Sequence, residues 1–199
     1  NNLQEHEIYG VSRNKNFNIP GCTTFFLEDI KKIDELTALL DEVDVVINTI
    51  GKAHVMNTET KKDQKNYSLI NSDLCLYLAK RASQSKVKKF IYLSSIKVFG
   101  DKANKEDEIN ELSEPAPTDP YGKSKFEAEL KLLQLSKNSD MDVIIVRPPL
   151  VYGKGVKGNM ALLERLLRTN IPLPLRSITN NQRSMISIKN LCHFISHCL

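Results

Sequence analysis

The sequence contains no apolar run approaching the roughly 20 residues that cross a bilayer, so it predicts no membrane-spanning helix. It opens on no signal-peptide pattern, and the expectation is a cytoplasmic protein. It has no internal repeat, which excludes a solenoid or propeller. Charge of one sign is also scarce. A net charge of +4 over 199 residues suits an anionic ligand but falls well short of a nucleic-acid footprint, and Lys86-Val87-Lys88-Lys89 reads as a solvated helix-to-strand turn rather than a phosphate track. Cysteines number four. The segment Cys192-His193-Phe194-Ile195-Ser196-His197-Cys198 invites a metal reading, but on a helix Leu191, Phe194, Ile195 and Cys198 form the apolar stripe and only His193 and His197 share a polar face. No metal site is therefore assigned, and Cys22 and Cys75 read as small core residues. What remains, 41% hydrophobic and 26% charged, is the composition of a globular protein with one domain and part of another.

Apolar runs of strand length alternate with segments of helical spacing as far as residue 153. Strands are expected at Ile8–Val11, Thr24–Leu27, Val43–Ile50, Phe90–Leu93 and Met141–Val146. Helices are expected from about Lys31 to Leu40, from Asn71 to Ala82 and from Tyr121 to Leu135. On the last of these, Phe126, Leu130 and Leu133 are expected to face the core, and Glu127, Glu129 and Lys131 the solvent. Such alternation predicts an α/β fold with a doubly wound parallel sheet. Pro148 and Pro149 end the ladder after residue 147. From Lys154 the pattern changes to a glycine-rich turn, a helix near 159–168, the Pro172/Pro174 segment and Gln182-Arg183-Ser184-Met185-Ile186. The chain is accordingly divided into residues 1–153 and 154–199.

The richest stretch runs from Phe90 to Lys125. Four apolar residues lead directly into Ser94-Ser95, as in a buried strand whose end delivers hydroxyls to the crevice where open α/β sheets bind ligands. After a polar, proline-marked loop, Tyr121 and Lys125 open a helix. Four residues apart, they share a face, which lets the ammonium favour the phenolate and poise an acid/base.

Ser95-Ile96-Lys97-Val98-Phe99-Gly100 followed by Pro120-Tyr121-Gly122-Lys123-Ser124-Lys125, with Asn71 upstream and Arg147-Pro148-Pro149 downstream, resembles the extended short-chain dehydrogenase/reductase family of nucleotide-sugar epimerases and dehydratases. The resemblance implies a Rossmann-like NAD(P)-binding domain over 1–153 and the start of a nucleotide-sugar-binding region over 154–199. It implies that a first βα unit of about 30 residues, with its glycine-rich turn, is missing, and that the chain is cut at both ends and inactive as it stands. Ser95, Tyr121 and Lys125 become the catalytic residues, with Lys125 also on the cofactor ribose. Ser12, Arg13, Asp29, Ile30, Ile50, Gly51 and Pro148 become cofactor contacts. Ser94, Asn159, Met160, Leu173 and Arg183 become substrate contacts.

Several positions keep a plainer reading beside the family one. Asp29 and Asn159 also suit helix caps, as does Asn71, which the family uses to brace the active-site strand. Arg183 suits a surface ion pair as well as a phosphate contact, and His54 a rim position. The resemblance implies NAD, while Ser12-Arg13 at a strand end leaves room and charge for a 2′-phosphate and tilts weakly towards NADP, so NAD is expected with NADP possible. The loop Asp101–Asp119 reads as a flap over the sugar. A 4,6-dehydratase of this family carries an Asp-Glu pair after the serine or threonine, where this chain has Ile96-Lys97. The resemblance therefore implies a 4-epimerase on a UDP-hexose or UDP-N-acetylhexosamine. The alternatives are an NADPH-dependent reductase of a 4-keto nucleotide sugar and a non-catalytic dinucleotide-binding relative. Leu150, where many epimerases place an asparagine, leaves the sugar open. The implied partners are a nucleotide sugar and a second copy in a homodimer, with no nucleic acid and no membrane.

Overall fold

The computed structural model describes residues 6–52, 65–100, 109–110, 112–156, 159–169 and 183–199. At its centre lies strand β4 (Lys89–Leu93). Phe90, Ile91 and Tyr92 are completely buried, because successive side chains point to opposite faces and both faces are covered. Phe90 and Tyr92 pack among Leu78, Ala79, Ala82 and Leu132. Ile91 packs with Val146 and Leu191 on the other side. The neighbours of β4 are β3 (Val45–Asn48) and β5 (Asp142–Val146), both parallel to it, with Phe90 opposite Val46 and Val143. Their β-branched runs suit a strand buried on both faces.

Two further parallel pairs flank this three-stranded sheet. Strands β1 (Tyr9–Ser12) and β2 (Thr23–Phe26) pair with each other, and β1 makes no ladder with β3. After the Pro148-Pro149 break, a short β6 (Leu150–Tyr152) pairs with β7 (Met185–Ser187). The prolines end one ladder as expected, but the chain resumes pairing with a new partner three residues later. This strand is invisible as a local pattern because its partner lies far along the chain.

Helices cover both faces of the central sheet. A 3₁₀ segment, Ile30–Leu36, broken at Lys32, runs into the short α1 (Thr37–Leu40), where the sequence predicts one continuous α-helix. A π-helical turn, Ser68–Asp73, runs into α2 (Leu74–Ser83). Helix α3 (Pro120–Ser136) starts with Asp119 as N-cap, accepting from Gly122 N at 2.7 Å, and with proline at its first position. Helix α4 spans Asn159–Leu167, and α5 spans Ile188–His197. The last of these lays Leu191, Ile195 and Cys198 on the face of the sheet opposite α2 and α3. Phe194, expected in that stripe, lies at its margin and is exposed.

Helix α3 departs most from its predicted orientation. Leu130 and Leu133 are exposed, whereas Glu129 is completely buried beside Lys125, Ala128 and Leu132. The inward stripe runs through residues 121, 125, 129 and 132 because this face meets the end of β4. Polar groups of the site occupy it, and leucines are left outside. Among the described residues no helix is long and apolar enough to cross a membrane.

Candidate active site

Three strand ends and one helix build the site. At the end of β4, Ser94 N donates to Val146 O (2.7 Å) and Ile96 N to Pro148 O (3.0 Å), so β4 and β5 stay in register beyond the sheet proper. Ser95 is extended (φ −161°, ψ 150°) and caps the 3₁₀ turn Ile96–Phe99 by accepting from Lys97 N at 3.2 Å. Alternation along the extended chain turns the two serines opposite ways. Ser95 is half-buried, and its hydroxyl favours the ionised form of the Tyr121 side chain. Ser94, expected to meet substrate, is instead buried and donates its hydroxyl to Glu129, so that hydroxyl serves the interior.

Tyr121 and Lys125 share a face of α3, one turn apart, as their spacing requires. The Lys125 ammonium donates to Leu93 O (2.8 Å), 4.8 Å from the centre of the Tyr92 ring and 6.0 Å from that of Tyr121. These ring faces attract the cation, yet burial dominates and pulls Lys125 down to about 8, against the opposing pull of Cys75 and Glu129. Burial likewise holds the Tyr121 phenol above its ordinary value, and the Ser95 hydroxyl offsets only part of this. The sequence predicts a lysine-favoured phenolate. In this arrangement desolvation outweighs that effect, and the resting group is a neutral phenol. Tyr67, almost fully buried, meets Tyr121 edge-on at 6.2 Å.

Asn71 ties these parts together. Its Oδ1 accepts from Lys52 N (2.7 Å), and its Nδ2 donates to Lys52 O (3.2 Å) and Ser124 Oγ (2.9 Å). Tyr92 Oη donates to its backbone carbonyl at 3.1 Å. It lies in the π-helical turn, not at a helix N-terminus, so the bracing reading holds here and the capping one does not. Such turns recur at functional sites because the extra residue re-aims side chains. The loop after β3 is thereby fastened to α3. It starts at Asn48, which accepts from Ile50 N (2.9 Å) and donates to Cys75 Sγ (3.1 Å). A Cβ on Gly51 would lie 3.1 Å from Lys125 Nζ and 3.3 Å from Asn71 Oδ1. Glycine keeps the space over the ammonium open.

The structure thus brings Ser95, Tyr121, Lys125 and Gly51 to one end of the sheet, with Ile50 next to Gly51 in the chain and the Pro148 carbonyl accepting from Ile96 N, next to Ser95. Ser12 and Arg13 stand at and just beyond the end of β1, where Ser12 Oγ accepts from Asn14 N (3.1 Å) and Arg13 is exposed. Asp29 is exposed beyond the end of β2, and its carbonyl accepts from Lys32 N (2.9 Å). Ile30 begins the 3₁₀ segment. Asn159 begins α4, Met160 is half-buried, and Arg183 is exposed just before β7. Leu173, His54, the side chains of Ile30 and Asn159, and residues 101–108 and 111 of the loop 101–119 lie outside the described residues. Among the described residues no cluster of His, Cys, Asp and Glu could hold a metal.

Sequence reasoning missed Glu129 and Arg147 as a pair. Arg147 Nε lies 3.1 and 3.2 Å from the two Glu129 oxygens, and one terminal nitrogen lies 2.7 Å from Oε2. Glutamate at 129 continues the Tyr121–Lys125 spacing by one more turn, and that was the available signal.

A family model described as "NAD dependent epimerase/dehydratase family" matches residues 1–199. A Vibrio cholerae protein named UDP-glucose 4-epimerase is 42% identical over 175 residues, covering 88% of this chain and 53% of that protein. The chain thus spans about half the length of that relative. Among solved structures, MoeE5 in complex with UDP-glucuronic acid and NAD superposes with a TM-score of 0.76 at 21% identity, covering 96% of this chain and 64% of MoeE5. The DesIV double mutant (dTDP-glucose 4,6-dehydratase) from Streptomyces venezuelae, with NAD and DAU bound, gives 0.78 at 20% identity, covering 98% and 63%. At these identities the two likenesses establish the fold alone, a parallel α/β sheet covered by helices.

Proposed function

We propose, because the chain belongs to the NAD dependent epimerase/dehydratase family, that the whole protein is a nucleotide-sugar 4-epimerase acting on a UDP-hexose or UDP-N-acetylhexosamine through a 4-keto intermediate. The observation that carries this reading is the buried Lys125 ammonium on one face of α3 with Tyr121, 6.0 Å from the centre of its ring and held on Leu93 O at the end of β4, where Ser95 follows. The residues present fit a dinucleotide. Gly51 leaves open the space above Lys125 Nζ, and an ammonium with one proton spent on Leu93 O keeps donors for a ribose diol. Ile50, Gly51, Lys125 and Pro148 would hold the nicotinamide end, and Ser12, Arg13 and Asp29 the adenosine. When bound, NAD supplies a hydride acceptor and donor.

The chain's own residues handle the proton. Tyr121 first gives its own phenol proton to solvent; as the phenolate, stabilised by the Lys125 ammonium, it takes the proton from the sugar hydroxyl and returns it to the reacting oxygen, to which Ser95 donates. Ile96 offers no acid for eliminating water, and the neighbouring Lys97 is engaged 3.3 Å from Asp119. Both favour epimerisation over dehydration. The V. cholerae relative's name points the same way. Met160 and Arg183 are assigned to the substrate side with Asn159 and Leu173.

A second reading, reduction of a 4-keto nucleotide sugar by NADPH, is supported by the exposed Arg13 after Ser12. One experiment separates the two: the full-length protein is denatured and its released nucleotide identified by chromatography. Stoichiometric NAD⁺ supports the epimerase. An empty protein that oxidises NADPH with a 4-keto sugar nucleotide overturns it in favour of the reductase. A homodimer is also proposed, supported by exposed Leu69, Leu130 and Leu133 on helical segments that pack together beside the site.

A further inference from the structure

Glu129 is a charged side chain with no exposed surface, and its partners come from three different elements. Ser94, at the end of β4, donates its hydroxyl to Oε1. Arg147, at the end of β5, binds both carboxylate oxygens, with its guanidinium 5.0 Å from the centre of the Phe99 ring. Glu129 itself belongs to α3. A buried ion pair is weak evidence of stabilisation, since desolvation offsets most of its Coulomb gain, so its place in the molecule asks for another reason. Each member adjoins a residue of the site: Ser94 precedes Ser95, Arg147 precedes Pro148, and Glu129 stands one turn beyond Lys125. A bidentate fork fixes both distance and angle, and here it locks the three carriers of the site to one another.

We propose that the Ser94–Glu129–Arg147 cluster is the positioning device of the site, setting the Ser95 hydroxyl and the Lys125 ammonium relative to Tyr121. It rests on the reading of those three residues as the acid/base group, but its test does not depend on turnover. The groups facing Lys125 are Cys75 from α2, Tyr92 from β4, and Tyr121 and Glu129 from its own helix. Arg147 stands behind Glu129. Removing the carboxylate takes away one anion and strands one cation, and both changes disfavour the ammonium.

The test follows the Lys125 ε-methylene through a pH titration by carbon NMR on the 199-residue chain, with Lys125→Arg to assign the signal. Glu129→Gln is expected to lower the midpoint by about one pH unit. Ser94→Ala, which removes one hydrogen bond and no charge, is expected to leave the midpoint in place but broaden the signal as β4 and α3 lose register. If Glu129→Gln does not fold, Glu129→Leu with Arg147→Leu removes the cluster without stranding a charge, and an upward move of the Tyr121 phenol titration, as Ser95 loses its place beside it, is the expected result. An unchanged Lys125 midpoint in folded Glu129→Gln overturns the proposal, as does an unchanged Tyr121 titration in the double variant. Loss of thermal stability alone, without either change, identifies the cluster as purely structural. A failed epimerase assay on the full-length protein with these titrations as expected would count against the proposed activity and not against the cluster.

Discussion

Replacing Asn71 by alanine tests whether the site is held by its brace. The side chain is completely buried and makes three hydrogen bonds, of 2.7, 2.9 and 3.2 Å, to Lys52 and Ser124. At about 1 kcal/mol net for each bond, the direct loss is about 3 kcal/mol. The cavity left by the amide adds to this, while water reaching the half-exposed Lys52 backbone returns part of it. A destabilisation of about 3–4 kcal/mol is expected, a large share of the ~5–15 kcal/mol that holds an ordinary domain together. The chain contains no tryptophan, so urea unfolding is best followed by far-ultraviolet circular dichroism, where the midpoint should fall with the slope unchanged. Asn71→Asp keeps an acceptor for Lys52 N but loses both donor bonds, and should fall between wild type and alanine. A loss below about 1 kcal/mol in Asn71→Ala would refute the brace, because hydrogen bonds of that geometry in a buried site cannot all be replaced by solvent.

Tyr121→Phe in the full-length protein should reduce turnover at least a thousandfold, on the order of what a general acid/base contributes, while nucleotide binding measured by calorimetry stays within a few-fold; retained turnover would remove Tyr121 from its role. Gly122→Ala should destabilise by about 1–3 kcal/mol, since a Cβ there would lie 2.5 Å from Lys97 O, which is backbone and cannot swing aside; thermal melting checks this. Lys125 titrates near 8 in the folded chain against an ordinary 10.5, so between those values the unfolded chain binds more protons and stability should rise with pH. Below about 8 the full penalty of the buried ammonium is present, and in Lys125→Met the rise should vanish from denaturation measured across that window. Tyr121, raised above its ordinary value of 10.0, works in the opposite sense, so stability should fall as pH climbs past 10. Leu130→Glu with Leu133→Glu should convert a dimer to a monomer in light scattering; an unchanged mass would remove that face from the interface.

Local pattern was enough for the strands up to residue 146 and for the helix that puts Tyr121 and Lys125 on one face, but not for β6 and β7 or for the 3₁₀ and π-helical segments. The apolar run into Ser94-Ser95, the β-branched strands and the four-residue spacing of Tyr121 and Lys125 are short-range signals, and geometry within one strand or one helix turns them into direction and face. Which serine faces the site was not local in that sense. Both carry the same hydroxyl, and only the packing of α3 against β4 and β5 decides that Ser94 turns inward to Glu129 while Ser95 meets Tyr121. The same holds for α3 itself. Helical periodicity weighs leucine as core and glutamate as surface, and it misplaces Leu130, Leu133 and Glu129 because an arginine from a strand 18 residues away supplies a buried countercharge that no single-element pattern contains. The protonation of the site was also beyond the sequence, since spacing predicts proximity of Lys125 and Tyr121 but not the depth at which they sit. Sequence therefore determined the strands up to residue 146 and the helix that brings Tyr121 and Lys125 to one face. Tertiary structure decided which hydroxyl is offered, which charge is buried and which proton stays on, because desolvation and partner geometry are properties of the packed whole.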